Sequence, residues 1–182
     1  MGLKKIILNA SGPFQKNNLI TTLEAIRVFN KNTKYNIKST SIRKGLKHLI
    51  ELTNFKGRWQ VNSTKPICIM DSAHNEGGLK INMKRLKEIP HQQLHFVFGM
   101  VNDKDPHRIL KLLPSNAIYY FAKADIPRGL NADELKLHAT KWNLMGNSYR
   151  SVKSALAAAK RKASKKDLIY VGGSIFVVAE VI

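Results

Sequence analysis

Pro66-Ile67-Cys68-Ile69-Met70-Asp71-Ser72-Ala73-His74-Asn75 decides the fold. An apolar run that ends in Asp and leads into a segment of helical spacing reads as the carboxyl end of a buried parallel strand. In open α/β sheets that edge is where ligands bind. The pentad Asp71–Asn75 has the chemistry such an edge needs: the carboxylate accepts from a hydroxyl, the imidazole donates to an anion, and the Asn caps the next helix. Taken alone, the pentad reads equally well as a helix N-cap with polar neighbours.

From Trp59 onward strand and helix patterns alternate, which predicts a mostly parallel, Rossmann-like α/β sheet with helices on both faces. The candidate strands are Ile67–Met70, Leu94–Phe98, Ala117–Phe121 and Leu168–Val171. The candidate helices are Gly78–Glu88, Pro106–Leu113, Ala132–Lys141 and Val152–Ala163. Each strand-to-helix junction is polar or glycine-rich: Asp71–Asn75, Gly99–Asp105, Ala122–Gly129 and Gly172-Gly173-Ser174. Such turns need Gly, Asp and Asn for geometry alone. In a parallel sheet, however, all four gather at one edge.

The first fifty-odd residues read differently. Lys5-Ile6-Ile7-Leu8 resembles a short strand, broken at Ser11-Gly12-Pro13. A helix is expected from Asn18 through Phe29, and a second after an N-cap at Ser39, with Ile42, Leu46, Leu49 and Ile50 along one face. One strand and two amphipathic helices bury themselves poorly, so residues 1–56 read as the end of a domain whose body lies elsewhere.

Thirty-one Lys and Arg against twelve Asp and Glu give a formal net charge of +19. Such an excess attracts polyanions. The basic residues are spread along the chain, and the one dense cluster, Lys160-Arg161-Lys162 with Lys165-Lys166, falls at a predicted helix end, where cations complement the dipole. No aromatic pattern of an RNA-reading domain interleaves them, so no specific nucleic acid is expected as partner. Cys68 is the sole cysteine, which excludes an intrachain disulfide and a thiolate zinc cluster. His48, His91, His95, His107 and His138 read as surface or helix-end residues, and no histidine falls in a metal-binding spacing. No apolar stretch approaches the ~18–20 residues that span a bilayer, and no signal peptide opens the chain. The expected setting is therefore cytoplasmic, without a membrane partner. A dinucleotide-binding G-x-G-x-x-G, a P-loop and a G-x-S-x-G elbow are all absent.

Gly12-x-x-Gln15-x-x-Asn18, Gly57-Arg58, Asp71-x-Ala73-His74-Asn75, Phe98-Gly99-Met100, Asp103-Lys104-Asp105, Pro127-Arg128 and Gly173-Ser174 occur in that order. Together they resemble the C-terminal portion of folylpolyglutamate synthase/dihydrofolate synthase, in the Mur ligase superfamily. The resemblance implies that residues 1–56 match the end of a central ATPase domain and residues 57–182 the C-terminal domain. It implies an ATP-dependent ligase that adds L-glutamate to a folate through an acyl phosphate, with the P-loop and the Mg2+ ligands in a preceding ATPase domain and this part inactive alone. Asn18 and Asp71 would contact the adenosine part of ATP, and Arg58 its phosphates. His74 and Ser174 would help hold glutamate, with Arg58 and His74 serving the reaction itself. Asp103, Lys104, Asp105 and Arg128 would line the same cleft without an assigned role. The chain departs from the family pattern at Phe14 (usually His), Ser72 (usually Gly) and Glu76 (usually Pro). From a different class stand two alternatives: a basic nucleic-acid-binding module, and a non-catalytic interaction module.

Overall fold

The computed structural model describes residues 6–12 and 14–182. The chain divides into two compact units, residues 1–56 and 57–182.

In the first unit, α1 (Gln15–Asn32) is followed by α2 (Ser39–Lys47) and α3 (Leu49–Thr53). The return from α1 is tied by one side chain: Asn30 Nδ2 donates to Ile37 O at 3.0 Å, and Ile37 N donates to Asn30 Oδ1 at 2.8 Å. The N-cap of α2 is Lys38 and not Ser39, and its side chain makes no cap bond. Of the strand expected at Lys5–Leu8, Lys5 lies outside the described residues and Ile6–Leu8 are irregular. A strand needs a ladder partner, and no other strand among the described residues of this unit supplies one; instead Asn9 N donates to Leu46 O at 3.0 Å. Ile20, Val28, Phe29, Tyr35, Leu52 and Phe55 are exposed, while Ile42 is buried.

The second unit is built on strands β1 (Gln60–Thr64), β2 (Ile67–Asp71), β3 (Leu94–Phe98), β4 (Ile118–Ala122), β5 (Gly146–Tyr149) and β6 (Leu168–Gly172). Helices α4 (Glu76–Lys87), α5 (Pro106–Leu110), α6 (Ala132–Thr140), α7 (Val152–Lys162) and α8 (Ile175–Ala179) intervene or follow. The six strands lie in the order β1-β2-β6-β3-β4-β5. All neighbours are parallel except β1, which pairs antiparallel with β2. The mixed sheet is thus the α/β architecture expected, with two strands that periodicity did not reveal. Both are edge strands with polar sequences, Gln60-Val61-Asn62-Ser63-Thr64 and Gly146-Asn147-Ser148-Tyr149, and neither needs the apolar run of a strand buried on both faces.

Alternate strand residues feed two cores. Ile69, Phe96, Phe98, Tyr119, Phe121 and Tyr170 pack under α4, α5 and α6, and Cys68, Met70, Val97, Tyr120, Ile169 and Val171 pack under α7 and α8. The helices after β2 and β3 therefore cover one face, and the helix after β6, which lies between those strands, covers the other. Neighbouring chains diverge there, and the divergence opens a crevice at their carboxyl ends. Close approach at this edge requires Gly99, where a β-carbon would collide with the Ala122 carbonyl oxygen and the Val177 side chain.

His95 is a surface residue in the sequence reading, but its ring is 1% exposed. It sits inside β3, whose residues are buried on both faces. Nδ1 lies 2.9 Å from Tyr120 Oη and Nε2 lies 3.4 Å from Asp167 Oδ2. Burial pushes the imidazole below its ordinary pKa of 6.5, against the opposing pull of Asp167. The folded state thus binds this proton less well than the unfolded chain, so its contribution to stability is present above pH 6.5 and lost as pH falls toward the depressed value. The urea midpoint is expected to fall between pH 7 and pH 5, and to fall less in His95→Gln; an identical slope in the variant contradicts the assignment.

Candidate functional site

The Asp71 carboxylate organises the crevice. It is 0% exposed and takes three hydrogen bonds. Oδ2 accepts from Trp59 N at 2.7 Å, and Oδ1 accepts from Ala73 N at 2.8 Å and from Asn82 Nδ2 at 2.7 Å. Asn82 Nδ2 also donates to Tyr170 Oη at 3.0 Å. One carboxylate therefore ties together the segment before β1, the turn after β2, α4 and β6. Asn82 Oδ1 is buried without a hydrogen-bond partner among the described residues. Burial also pushes the Tyr170 hydroxyl well above its ordinary pKa, so it stays protonated. For a carboxylate with about four lone-pair positions, these bonds leave one for a ligand hydroxyl.

Arg58 is held by its neighbours. Gly57 O accepts from Ser72 N at 2.8 Å, and Trp59 N reaches Asp71, so the two flanking residues fasten Arg58 to the turn after β2. The path between them is contorted: Gly57 has φ 74° and Trp59 has φ 46°. A bulky side chain at positive φ is strained and persists only where its surroundings fix it. Here the Trp59 indole is 3% exposed, and the Arg85 guanidinium lies 4.8 Å from its ring centre.

His74 follows the buried Ser72-Ala73 pair and is half-buried. Its Nδ1 lies 3.1 Å from Ser72 O. A carbonyl only accepts, so Nδ1 carries the proton and Nε2 is the atom left for chemistry, as an acceptor when the ring is neutral and a donor when it is charged. Asn75 then caps α4, accepting from Gly78 N at 2.9 Å. Beside His74 opens a cleft of about 360 Å³, lined by His74, Asn75, Glu76, Asp103, Lys104 and Arg108 among others. Lys104 Nζ donates to His74 O at 2.9 Å, and Arg108 pairs with Glu76 at 2.7 Å. The cleft thus offers both signs of charge, which suits a zwitterionic amino acid.

Ser174 is 3% exposed and caps α8, its Oγ accepting from Phe176 N at 3.2 Å. The cap leaves its O–H as a donor. Because Gly172 is in register with both Asp71 and Phe98, Ser174 follows β6 between the turns that carry Asp71 and Gly99. Arg128 Nη1 donates to Asp103 Oδ2 at 3.2 Å, and its guanidinium lies 4.9 Å from the Phe176 ring centre. Asp105 caps α5 by accepting from His107 N at 2.9 Å. Asn18 lies in the first unit, exposed on α1, with Nδ2 donating to Gln15 Oε1 at 3.2 Å.

The turns that carry Asp71, His74 and Ser174 lie at one edge, as the sequence predicts, with the Arg58 segment fastened to the first of them; Trp59, Asn82 and the Glu76–Arg108 pair are not foreseen from sequence. Asn82 had a signal: a polar residue on the stripe of Leu79, Met83 and Leu86. Among the described residues, no group of three or more His, Cys, Asp or Glu side chains is placed to hold a metal ion. None of the described helices is long and apolar enough to cross a membrane.

Residues 57–175 match the family model described as Mur ligase, glutamate ligase domain. The chain is 32% identical over 166 residues to a dihydrofolate synthase/folylpolyglutamate synthase of Escherichia coli, covering 90% of this chain and 36% of the relative. The E. coli FolC structure in complex with DHPP and ADP superposes with a TM-score of 0.76 at 30% identity, over 98% of this chain and 39% of that one. A bifunctional folylpolyglutamate synthase/dihydrofolate synthase with Mn, AMPPNP and L-glutamate bound superposes with a TM-score of 0.78 at 28% identity, over 98% of this chain and 41% of that one. The chain thus spans about two fifths or less of the length of these relatives.

Asp71→Asn replaces one acceptor oxygen with an amide donor, which then faces either Trp59 N or the pair Ala73 N and Asn82 Nδ2. It is expected to lower unfolding stability by about 1–3 kcal/mol in urea titration. Asp103→Asn on the exposed rim is expected to change it by less than about 0.5 kcal/mol; equal effects contradict the central role of Asp71.

Proposed function

Because the chain belongs to the Mur ligase family through its glutamate ligase domain, residues 57–175, we propose that it is the amino-acid-side part of an ATP-dependent ligase joining L-glutamate to a folate. The observation that carries this reading is the edge organised by Asp71, where a histidine with a defined tautomer borders a cleft of mixed charge and the backbone around Arg58 is fastened to the same turn. The names of the relatives support the substrate class, and their bound nucleotide, metal and L-glutamate support the ligand set. The match to a glutamate ligase domain favours this reading over a nucleic-acid-binding module.

In the proposed reaction the folate carboxylate attacks the γ-phosphorus of ATP, releasing ADP and leaving an acyl phosphate. The amine of glutamate then attacks the acyl carbon, inorganic phosphate leaves, and an amide remains. Arg58 stabilises charge that builds on the transferring phosphoryl group. Asp71 has one lone-pair position for a ribose hydroxyl beside its three protein donors. The carboxylate is fully buried in this structure, so contact with that hydroxyl requires its cover to move aside. His74 Nε2 faces the amino acid, and the Ser174 hydroxyl donates to its carboxylate.

For ATP the chain offers a cation, Arg58, and an acceptor, Asp71. For Mg2+ the described residues offer no cluster of ligands; the metal would be held by the P-loop ATPase part of the proposed ligase.

In the assembled ligase, Arg58→Ala is expected to lower kcat by about 10²-fold, in the range of removing one transition-state donor, with little change in folate affinity. His74→Ala is expected to raise KM for glutamate chiefly. Steady-state kinetics with each substrate varied separates the two; unchanged kcat in the first variant removes Arg58 from the phosphoryl site, and an effect on ATP alone moves His74 to the nucleotide side.

A further inference from the structure

We infer that Lys104 is the positioning residue for His74, locking the backbone of the Asp71–Asn75 turn so that the imidazole presents Nε2 to the cleft. Lys104 lies thirty residues from His74 in sequence, is half-buried, and donates from Nζ to His74 O at 2.9 Å. That carbonyl belongs to the peptide leading into Asn75, the N-cap of α4. A hydrogen bond from an ammonium is stronger and shorter than a neutral one and resists competition from water better when partly buried. His74 is then restrained at two points: its carbonyl by Lys104, and its ring by Nδ1–H donating to Ser72 O at 3.1 Å.

The loop that carries Lys104 is itself fixed on both sides. Before it, Asn102 N donates to Arg128 O and Leu130 N donates to Met100 O, both at 2.9 Å, and Val101 bridges antiparallel to Gly129. After it, Asp105 caps α5 and Pro106 opens the helix with its backbone angle already set. The Arg128–Asp103 ion pair adds little, since both side chains are about half exposed. Backbone zipper and cap hold the loop, and Lys104 transmits that rigidity to the neighbouring turn. The role explains why a lysine stands between two aspartates that point to other partners: Asp103 to Arg128, Asp105 to the helix it caps.

The inference rests on reading His74 as the residue that faces the amino acid, but its test reads the geometry of His74 and no turnover. The two therefore fail separately. In the isotope-labelled 182-residue chain, NMR is expected to show a Lys104 ammonium signal protected from solvent exchange and a His74 ring fixed as the Nδ1–H tautomer. Lys104→Met is expected to move the His74 carbonyl carbon upfield, as a lost hydrogen bond does, and to average the two ring nitrogens toward a mixture of tautomers. Lys104→Arg restores both signals, and Arg128→Ala leaves them near their original positions. A Lys104 ammonium that exchanges as fast as the surface lysines overturns the proposal, without recourse to any variant. So does a Lys104→Met chain in which both His74 signals stay unchanged.

Discussion

A buried carboxylate with three donors is the constraint on which this edge depends. Asp71 reaches backward to Trp59, locally to Ala73 and forward to Asn82, and through Asn82 to Tyr170 on β6. A buried charge is tolerated only when such bonds replace its hydration, and removing a partner leaves the desolvation cost uncompensated. The network therefore acts as a unit. It bends the Gly57–Trp59 segment over the end of β2, tolerates Trp59 at positive φ, and brings Arg58 beside the turn that holds His74.

Around this fixed centre the remaining contacts are weaker and more open. The Arg128–Asp103 pair is about half exposed and the Arg108–Glu76 pair is open on its arginine side, and pairs of that kind contribute about 0–1 kcal/mol each. They stabilise little, and they keep opposite charges near the cleft mouth, where a zwitterion can exchange with them. Glu76, in the first turn of α4, gives Arg108 its carboxylate partner. Rigid backbone and adjustable rim are thus divided between buried and exposed residues of the same loops.

Much of this was legible in the sequence for a physical reason. Ile67–Met70 and Leu168–Val171 are buried on both faces, so their apolar runs mark them as central strands, and their Asp and Gly ends mark the crevice. The edge strands Gln60–Thr64 and Gly146–Tyr149 bury little and had no such signature. The N-terminal strand was read from three apolar residues, but Ile6–Leu8 lack a partner ladder among the described residues of their unit. His95 was misplaced because a polar residue in an apolar run carries no mark of which neighbours, here Tyr120 and Asp167, satisfy it. At the candidate site, Asp71, His74 and Ser174 stand out by motif order, whereas Asn82 and Trp59 act through contacts that only folding creates.

The proposed function requires the edge organised by Asp71 to receive an amino acid beside His74. Titrating L-glutamate into the labelled chain and following its amide signals tests this directly. Saturable shifts confined to the turns around Ser72–Glu76, Asp103–Arg108 and Gly173–Ile175 are the predicted result. Shifts gathered instead on the basic stretch Lys160–Lys166, or no saturable shift at the crevice, contradict it.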